Sequence, residues 1–263
     1  MKNVDFYYFS GTGNTLMVVK KMAETFEKNG IKVNLHKIED SVLHDINLEH
    51  TIGIAFPVAF FSTYPFVWKF IKSLPPANGT DIFMVDTLGG ISGGIVGPLQ
   101  KIVKKKGYNP IGAKEIQMPL NIFFIQNEET NKTKVQKGLM EAEKYAIGLI
   151  NGETGWGRVH LFSDGVHAFS IGLLKLTKSD MHQKWFNFDV KEENCRKCGI
   201  CAKLCPLGNI KMKKGEYPER GLNCEYCLRC TSFCPRGAIP CKFNYKGKTY
   251  RAFKNPKVLM REK

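Results

Sequence analysis

Eight of the nine cysteines in this chain fall into one pattern written twice. The first copy is Cys195-x2-Cys198-x2-Cys201-x3-Cys205-Pro206, and the second is Cys224-x2-Cys227-x2-Cys230-x3-Cys234-Pro235. Thiolates at this spacing suit a pair of cubane [4Fe-4S] clusters. Two-residue gaps let three thiolates converge on three irons from one tight loop, while the fourth cysteine reaches the other cube. The expected sets are Cys195, Cys198, Cys201 and Cys234 for one cluster, and Cys224, Cys227, Cys230 and Cys205 for the other. Zinc is the competing metal, but its sites pair CxxC motifs or mix in histidine, and no histidine lies in this segment. Disulfides would need an oxidising compartment. Cys241 stands outside the pattern and reads as a bystander near the second cluster, with a catalytic thiol as the weaker alternative. The chemistry implied is one-electron transfer by clusters whose ligating thiols are kept reduced and away from oxygen.

A second chemical feature is Ser10-Gly11-Thr12-Gly13-Asn14-Thr15, directly after a short apolar and aromatic run. Small residues let backbone N–H groups approach a phosphate, hydroxyls add donors, and the following helix presents its positive end. A dinucleotide fingerprint would need glycine where Leu16 stands, and a triphosphate loop would need a lysine, yet none appears before Lys20. The alternative is an ordinary hydroxyl-rich turn capping a helix.

The elements that must carry these groups alternate. Residues 4–9, 31–35, 51–56, 81–85 and 111–118 read as strands, and 14–28, 64–71, 96–105 and 128–150 as helices. Repeated βα units argue for a parallel sheet covered on both faces. Glycines at 152, 155 and 157 mark a break. The expected organisation is a sheet domain over 1–150, a connecting segment over 151–188, a two-cluster domain over 189–241 and a basic tail over 242–263.

With 263 residues there is room for about two domains. No apolar run approaches the roughly 20 residues of a membrane span. The first strand begins almost at once, which leaves no room for a leader peptide, so the expected place is an anaerobic cytoplasm. The formal net charge is +15, and residues 241–263 hold eight Lys or Arg against one acidic residue. Such charge fits docking of an acidic redox partner or a solvated surface, with nucleic acid less favoured.

On Ser10-x-Thr12-Gly13-Asn14-Thr15 and the βα order, the first 150 residues resemble the flavodoxins. With Phe56-Pro57-Val58, Gly89-Gly90, Met118-Pro119-x-Asn121 and both cysteine motifs added, the whole chain is similar to flavodoxins fused to a C-terminal two-cluster ferredoxin, a family of anaerobes. The resemblance implies a five-stranded doubly wound sheet binding flavin mononucleotide (FMN). It implies a phosphate site at Ser10, Thr12, Gly13, Asn14 and Thr15. It also implies ring contacts from Pro57, Val58, Ala59, Phe60 and Phe61 and from Thr87, Leu88, Gly89 and Gly90, with Phe60 or Phe61 stacked on the ring or simply packed in the core. Single-domain flavodoxins are acidic, whereas this chain is basic. The loop 57–62 lacks the glycine that stabilises the one-electron flavin in many of them.

The expected function is electron transfer from a low-potential donor such as an acidic ferredoxin, through two clusters, to FMN and on to an acceptor. One alternative is a reductase of a quinone, conjugated alkene, nitro or azo compound, with Asn121, Gln126, Tyr64 and His167 as candidate pocket groups. Others are a cluster-based sensor whose tail binds nucleic acid, and a flavin-free scaffold. A homodimer is compatible with all of these.

Overall fold

Strands buried on both faces read as unbroken apolar runs, because helices cover a parallel sheet above and below. That is how 4–9, 51–56 and 81–85 behave in the computed structural model, which describes residues 1–59, 61–90, 94–157, 190–241 and 243–261. They form β1 (Asn3–Tyr8), β3 (Thr51–Pro57) and β4 (Asp81–Leu88). The outer strands β2 (Lys32–Lys37) and β5 (Asn109–Gln117) are only partly buried. All five run parallel in the order β2-β1-β3-β4-β5.

Among the described residues, four helices cover this sheet: α1 (Asn14–Lys28), α2 (Pro65–Ser73), α3 (Val96–Lys105) and α4 (Glu128–Asn151). Helix α1 packs against α4, and α2 against α3. Helix α2 begins with proline in its first turn, where the missing N–H costs nothing. Asn127 caps α4 by accepting from Thr130 N at 2.8 Å, and Gly152 ends it with φ of 70°. Under the sheet, the rings of Phe6 and Phe83 meet edge to face at 5.2 Å. Gly53 makes room for them, since a Cβ there would stand 2.6 Å from Phe83 and 2.7 Å from Phe6.

Two carboxylates break the apolar strands. Asp5 is buried in β1 and accepts from Asn34 Nδ2 at 2.8 Å, with His50 Nδ1 3.0 Å away. Asp86, in β4, is fully buried, and neither carboxyl oxygen has a hydrogen-bond partner among the described residues. Burial holds its pKa well above the usual carboxylate range, and the neighbouring charge of Glu115, its register partner on β5, adds to this. The folded pKa therefore lies above the unfolded value of about 3.9. Over that interval the folded chain keeps a proton that the unfolded chain releases, so stability falls as pH rises. Asp86→Asn should accordingly raise the urea midpoint at pH 7, with the gain shrinking toward pH 4. An equal gain at both values would clear the carboxyl of responsibility.

The described residues divide into two compact units, the first of 1–10, 14–119 and 127–157, and the second of 11–13, 120–126, 190–241 and 243–261. The second holds the cysteine motifs, two short helices, α5 (Ile200–Leu204) and α6 (Arg229–Ser232), and a two-residue antiparallel pair, β6 (Ile210–Lys211) with β7 (Glu219–Arg220). Of the expected connecting segment, residues 158–188 lie outside the described residues, as do Phe60 and His167. No helix among the described residues is long and apolar enough to cross a membrane.

Candidate cofactor sites

In an open parallel sheet, ligands bind beyond the carboxyl ends of the strands, where the strand order reverses. Here the reversal lies between β1 and β3. Ser10–Thr15 leaves β1 at that end, Pro57–Ser62 leaves β3 and Thr87–Gly90 closes β4. The first unit has a flavodoxin-like fold.

The side chains of the flavodoxin-like turn are buried, namely Ser10, Thr12, Asn14 and Thr15. Gly13 has φ of 109°, a region that favours glycine. Several of these groups also carry structural bonds that their sequence pattern did not reveal. Ser10 Oγ accepts from Leu16 N at 3.2 Å, and Asn14 Nδ2 donates to Pro119 O at 2.8 Å. Thr15 Oγ1 lies 2.8 Å from Thr87 Oγ1 and so ties the turn to β4. A hydroxyl that accepts one bond still has a proton to donate, so such bonds orient the turn without exhausting it.

The second loop is pinned by Val58 N donating to Thr87 O at 2.8 Å, and folds back on itself through Ala59 N to Ser62 O at 2.7 Å and Ser62 N to Ala59 O at 2.9 Å. At its tip Phe61 has φ of 58° and is 52% exposed. A left-handed aromatic residue costs roughly 1–3 kcal/mol and is characteristic of binding loops. Pro57, Val58 and Ala59 are half-buried below it. Gly90 is exposed with nothing near its absent Cβ, beside Leu88 and Gly89. Tyr64 is buried, its ring edge-on to Phe9 at 5.2 Å, and so belongs to the core.

In the second unit the two cysteine motifs share one backbone course. Lys197 and Tyr226 precede the second cysteine of each copy with φ of 52° and 58°, and Gly199 and Leu228 follow it with φ of 71° and 61°. Each third cysteine then sits in a short helix, Cys201 in α5 and Cys230 in α6. Each fourth cysteine accepts from the backbone four residues on, Cys205 from Asn209 N and Cys234 from Ala238 N, both at 3.2 Å. Left-handed residues turn successive N–H groups toward one concavity, the arrangement used around anionic clusters.

The motifs meet by crossing. Cys195, Cys198, Cys201 and Cys234 line one pocket, together with Ile200, Met212 and Ile239. Burial pushes the Cys201 thiol up to about 11, and the sulfurs that add to the shift are those of Cys198, Cys234 and Cys195. Around Cys230, burial again raises the pKa, and the contributing sulfurs are Cys227, Cys224 and Cys205. Among the described residues no three such side chains gather as a single-ion site. The first thiol set lines the pocket described above. Cys241 is buried with Tyr226, Leu228 and Ile239, a packing role for a thiol.

Part of the basic tail is laced into the second unit. Asn244, itself buried, accepts from Phe123 N at 2.8 Å and donates to Asn121 O at 3.3 Å and Lys248 O at 2.7 Å. Asn121 Nδ2 donates to Thr12 Oγ1 at 3.1 Å, and Ala252 N to Thr12 O at 2.8 Å. A Cβ on Gly11 would come within 2.5 Å of Cys227 O, so only glycine allows that approach. None of these links has a local sequence period.

No protein-family model matches the chain, and no curated protein matches it. Among solved structures, a Streptococcus pneumonia flavodoxin is 15% identical with a TM-score of 0.44, covering 57% of this chain and 98% of its own. Megasphaera elsdenii flavodoxin is 20% identical with a TM-score of 0.39, covering 54% and 98%. The rubredoxin oxygen:oxidoreductase of Desulfovibrio gigas is 14% identical with a TM-score of 0.35, covering 56% of this chain and 37% of its own.

Proposed function

We propose that this chain is an electron-transfer iron–sulfur flavoprotein. It would take single electrons from a low-potential donor such as an acidic ferredoxin and pass them through two [4Fe-4S] clusters to FMN and on to an acceptor. The observation that carries this reading is that one chain holds two kinds of site, a hydroxyl-rich turn at the carboxyl end of a flavodoxin-like sheet and, in the second unit, two crossed thiol sets.

The clusters would supply one-electron steps, and FMN the conversion between single and paired electrons. Cys195, Cys198, Cys201 and Cys234 would hold one cluster, and Cys205, Cys224, Cys227 and Cys230 the other. Backbone N–H groups of Ser10–Thr15 and the hydroxyls of Thr12 and Thr15 would hold the flavin phosphate. Phe61 would cover one ring face, and Gly89 and Gly90 would let backbone approach the ring edge. A relay fits better than a small-molecule reductase, because two of the polar groups a substrate pocket would use, Tyr64 and Asn121, are committed to the core and to Thr12. The basic surface would steer an acidic partner, an effect that weakens with salt.

Anaerobic analysis of purified protein should find about eight irons and one FMN per chain, with flavin bleaching on titration with reduced ferredoxin. Iron without flavin, even after FMN is added, would remove the flavin half of the proposal. Flavin without iron would remove the other half.

A further inference from the structure

The two cysteine motifs are repeats in backbone, yet they differ sharply at one position. Between the second and third cysteines the first copy reads Gly199-Ile200 and the second Leu228-Arg229. Ile200 lines the pocket of the first thiol set. Arg229, at the equivalent place, is 1% exposed and is the largest of the fully buried side chains. Its Nη1 donates to Leu204 O at 3.4 Å, next to Cys205, the residue that crosses over to the second set. It stands between Cys227 and Cys230, two residues of the second set, and opens the short helix α6 that carries Cys230.

Arg220, half-buried, adds a second cation near this loop, with its guanidinium 5.7 Å from the centroid of the Tyr226 ring that precedes Cys227. The cationic residues of the first pocket are Arg196 and Arg236, and both are exposed to solvent that screens them. The two thiol sets thus share ligand type and backbone course but not their electrostatic surroundings.

A four-iron core held by four thiolates gains one negative charge when it takes one electron, with no bond made or broken. A guanidinium buried beside it stabilises that charge far more than one in water. We propose that Arg229 makes the Cys205, Cys224, Cys227 and Cys230 set the electron-holding end of the pair, with the higher reduction potential of the two clusters. This rests on the cluster reading above, and it orders two sites that ligand spacing leaves equivalent.

The test is an anaerobic redox titration of the holoprotein with a one-electron reductant and mediators, followed by electron paramagnetic resonance. A Cys224→Ser variant identifies the second-set signal as the one it removes. In the natural chain that signal should appear first as the potential is lowered. In Arg229→Leu, with iron content kept, the reduced-to-oxidised ratio of that cluster at fixed potential should fall at least about tenfold, which is 59 mV for one electron. The first-set step should stay in place, and Arg229→Lys should recover part of the shift. Should the leucine variant lose iron, Arg229→Gln, which keeps a donor toward Leu204, carries the same readout against Arg229→Lys. An unmoved second-set step, a shift confined to the first set, or equal shifts in the lysine and uncharged variants would overturn the assignment. A natural chain with no cubane signals would instead overturn the cluster reading itself.

Discussion

Cys205→Ser is expected to remove about four of about eight irons, although Cys205 belongs to the first motif and its loss strikes the cluster of the second. The expectation follows from the crossing, in which Cys230 has Cys205 among its neighbouring sulfurs and Cys201 has Cys234. Serine keeps the size of the side chain and can still accept from Asn209 N, so the local turn should survive. Pairs of substitutions make the result decisive without any spectral assignment. Cys205→Ser with Cys224→Ser falls within one set and should cost no more iron than either alone. Cys205→Ser with Cys195→Ser falls in both sets and should cost nearly all of it. Ligation of each cluster by its own motif would reverse these two outcomes.

Thr12→Val should weaken FMN binding about ten- to a hundredfold while leaving riboflavin affinity nearly unchanged. A hydrogen bond to a charged group contributes roughly 1.5–3 kcal/mol, and valine matches threonine in shape. Thr12 is the better of the two threonines to test, because the partner its substitution strands, Asn121 Nδ2 at 3.1 Å, belongs to a residue only half-buried. Thr15→Val would also strand the Thr87 hydroxyl, its buried partner at 2.8 Å. Quenching of flavin fluorescence on binding reads both ligands. Equal losses for FMN and riboflavin would mean that the turn acts only as scaffold, and no loss for either would place the phosphate elsewhere.

Much of the sheet was legible because its inner strands are buried on both faces and so read as uninterrupted apolar runs. Residues 51–56 were expected as a strand and form Thr51–Pro57, and 14–28 were expected as a helix and form Asn14–Lys28. The hydroxyl-rich turn after β1 was legible as a candidate site because its small and hydroxylated residues are consecutive in sequence. What escaped depends on partners far along the chain. Asp86 looks like an interruption until its neighbours are known. Asn121 reads as a pocket group, yet it bonds to Thr12 and Asn244. Arginine usually marks a surface, so the burial of Arg229 was hidden, although aligning the two cysteine motifs does expose Ile200 and Arg229 as an odd pair. Strands of two residues, such as Ile210–Lys211, are too short to have a period.

In the crossed arrangement, the order of synthesis constrains cofactor loading. The chain makes Cys195, Cys198 and Cys201 first, but their fourth partner is Cys234. At about 5–20 residues per second, the first thiols wait roughly 2–8 s for it. Cys230 completes the second set and Cys234, four residues later, completes the first, so both sets become whole only near the end of the motif region. During that wait Cys195, Cys198, Cys201 and Cys205 are open thiols, exposed to oxygen and to stray metal ions. On the proposed ligation, a host that makes this protein would have to keep its nascent chains reduced and insert both clusters into a nearly completed polypeptide.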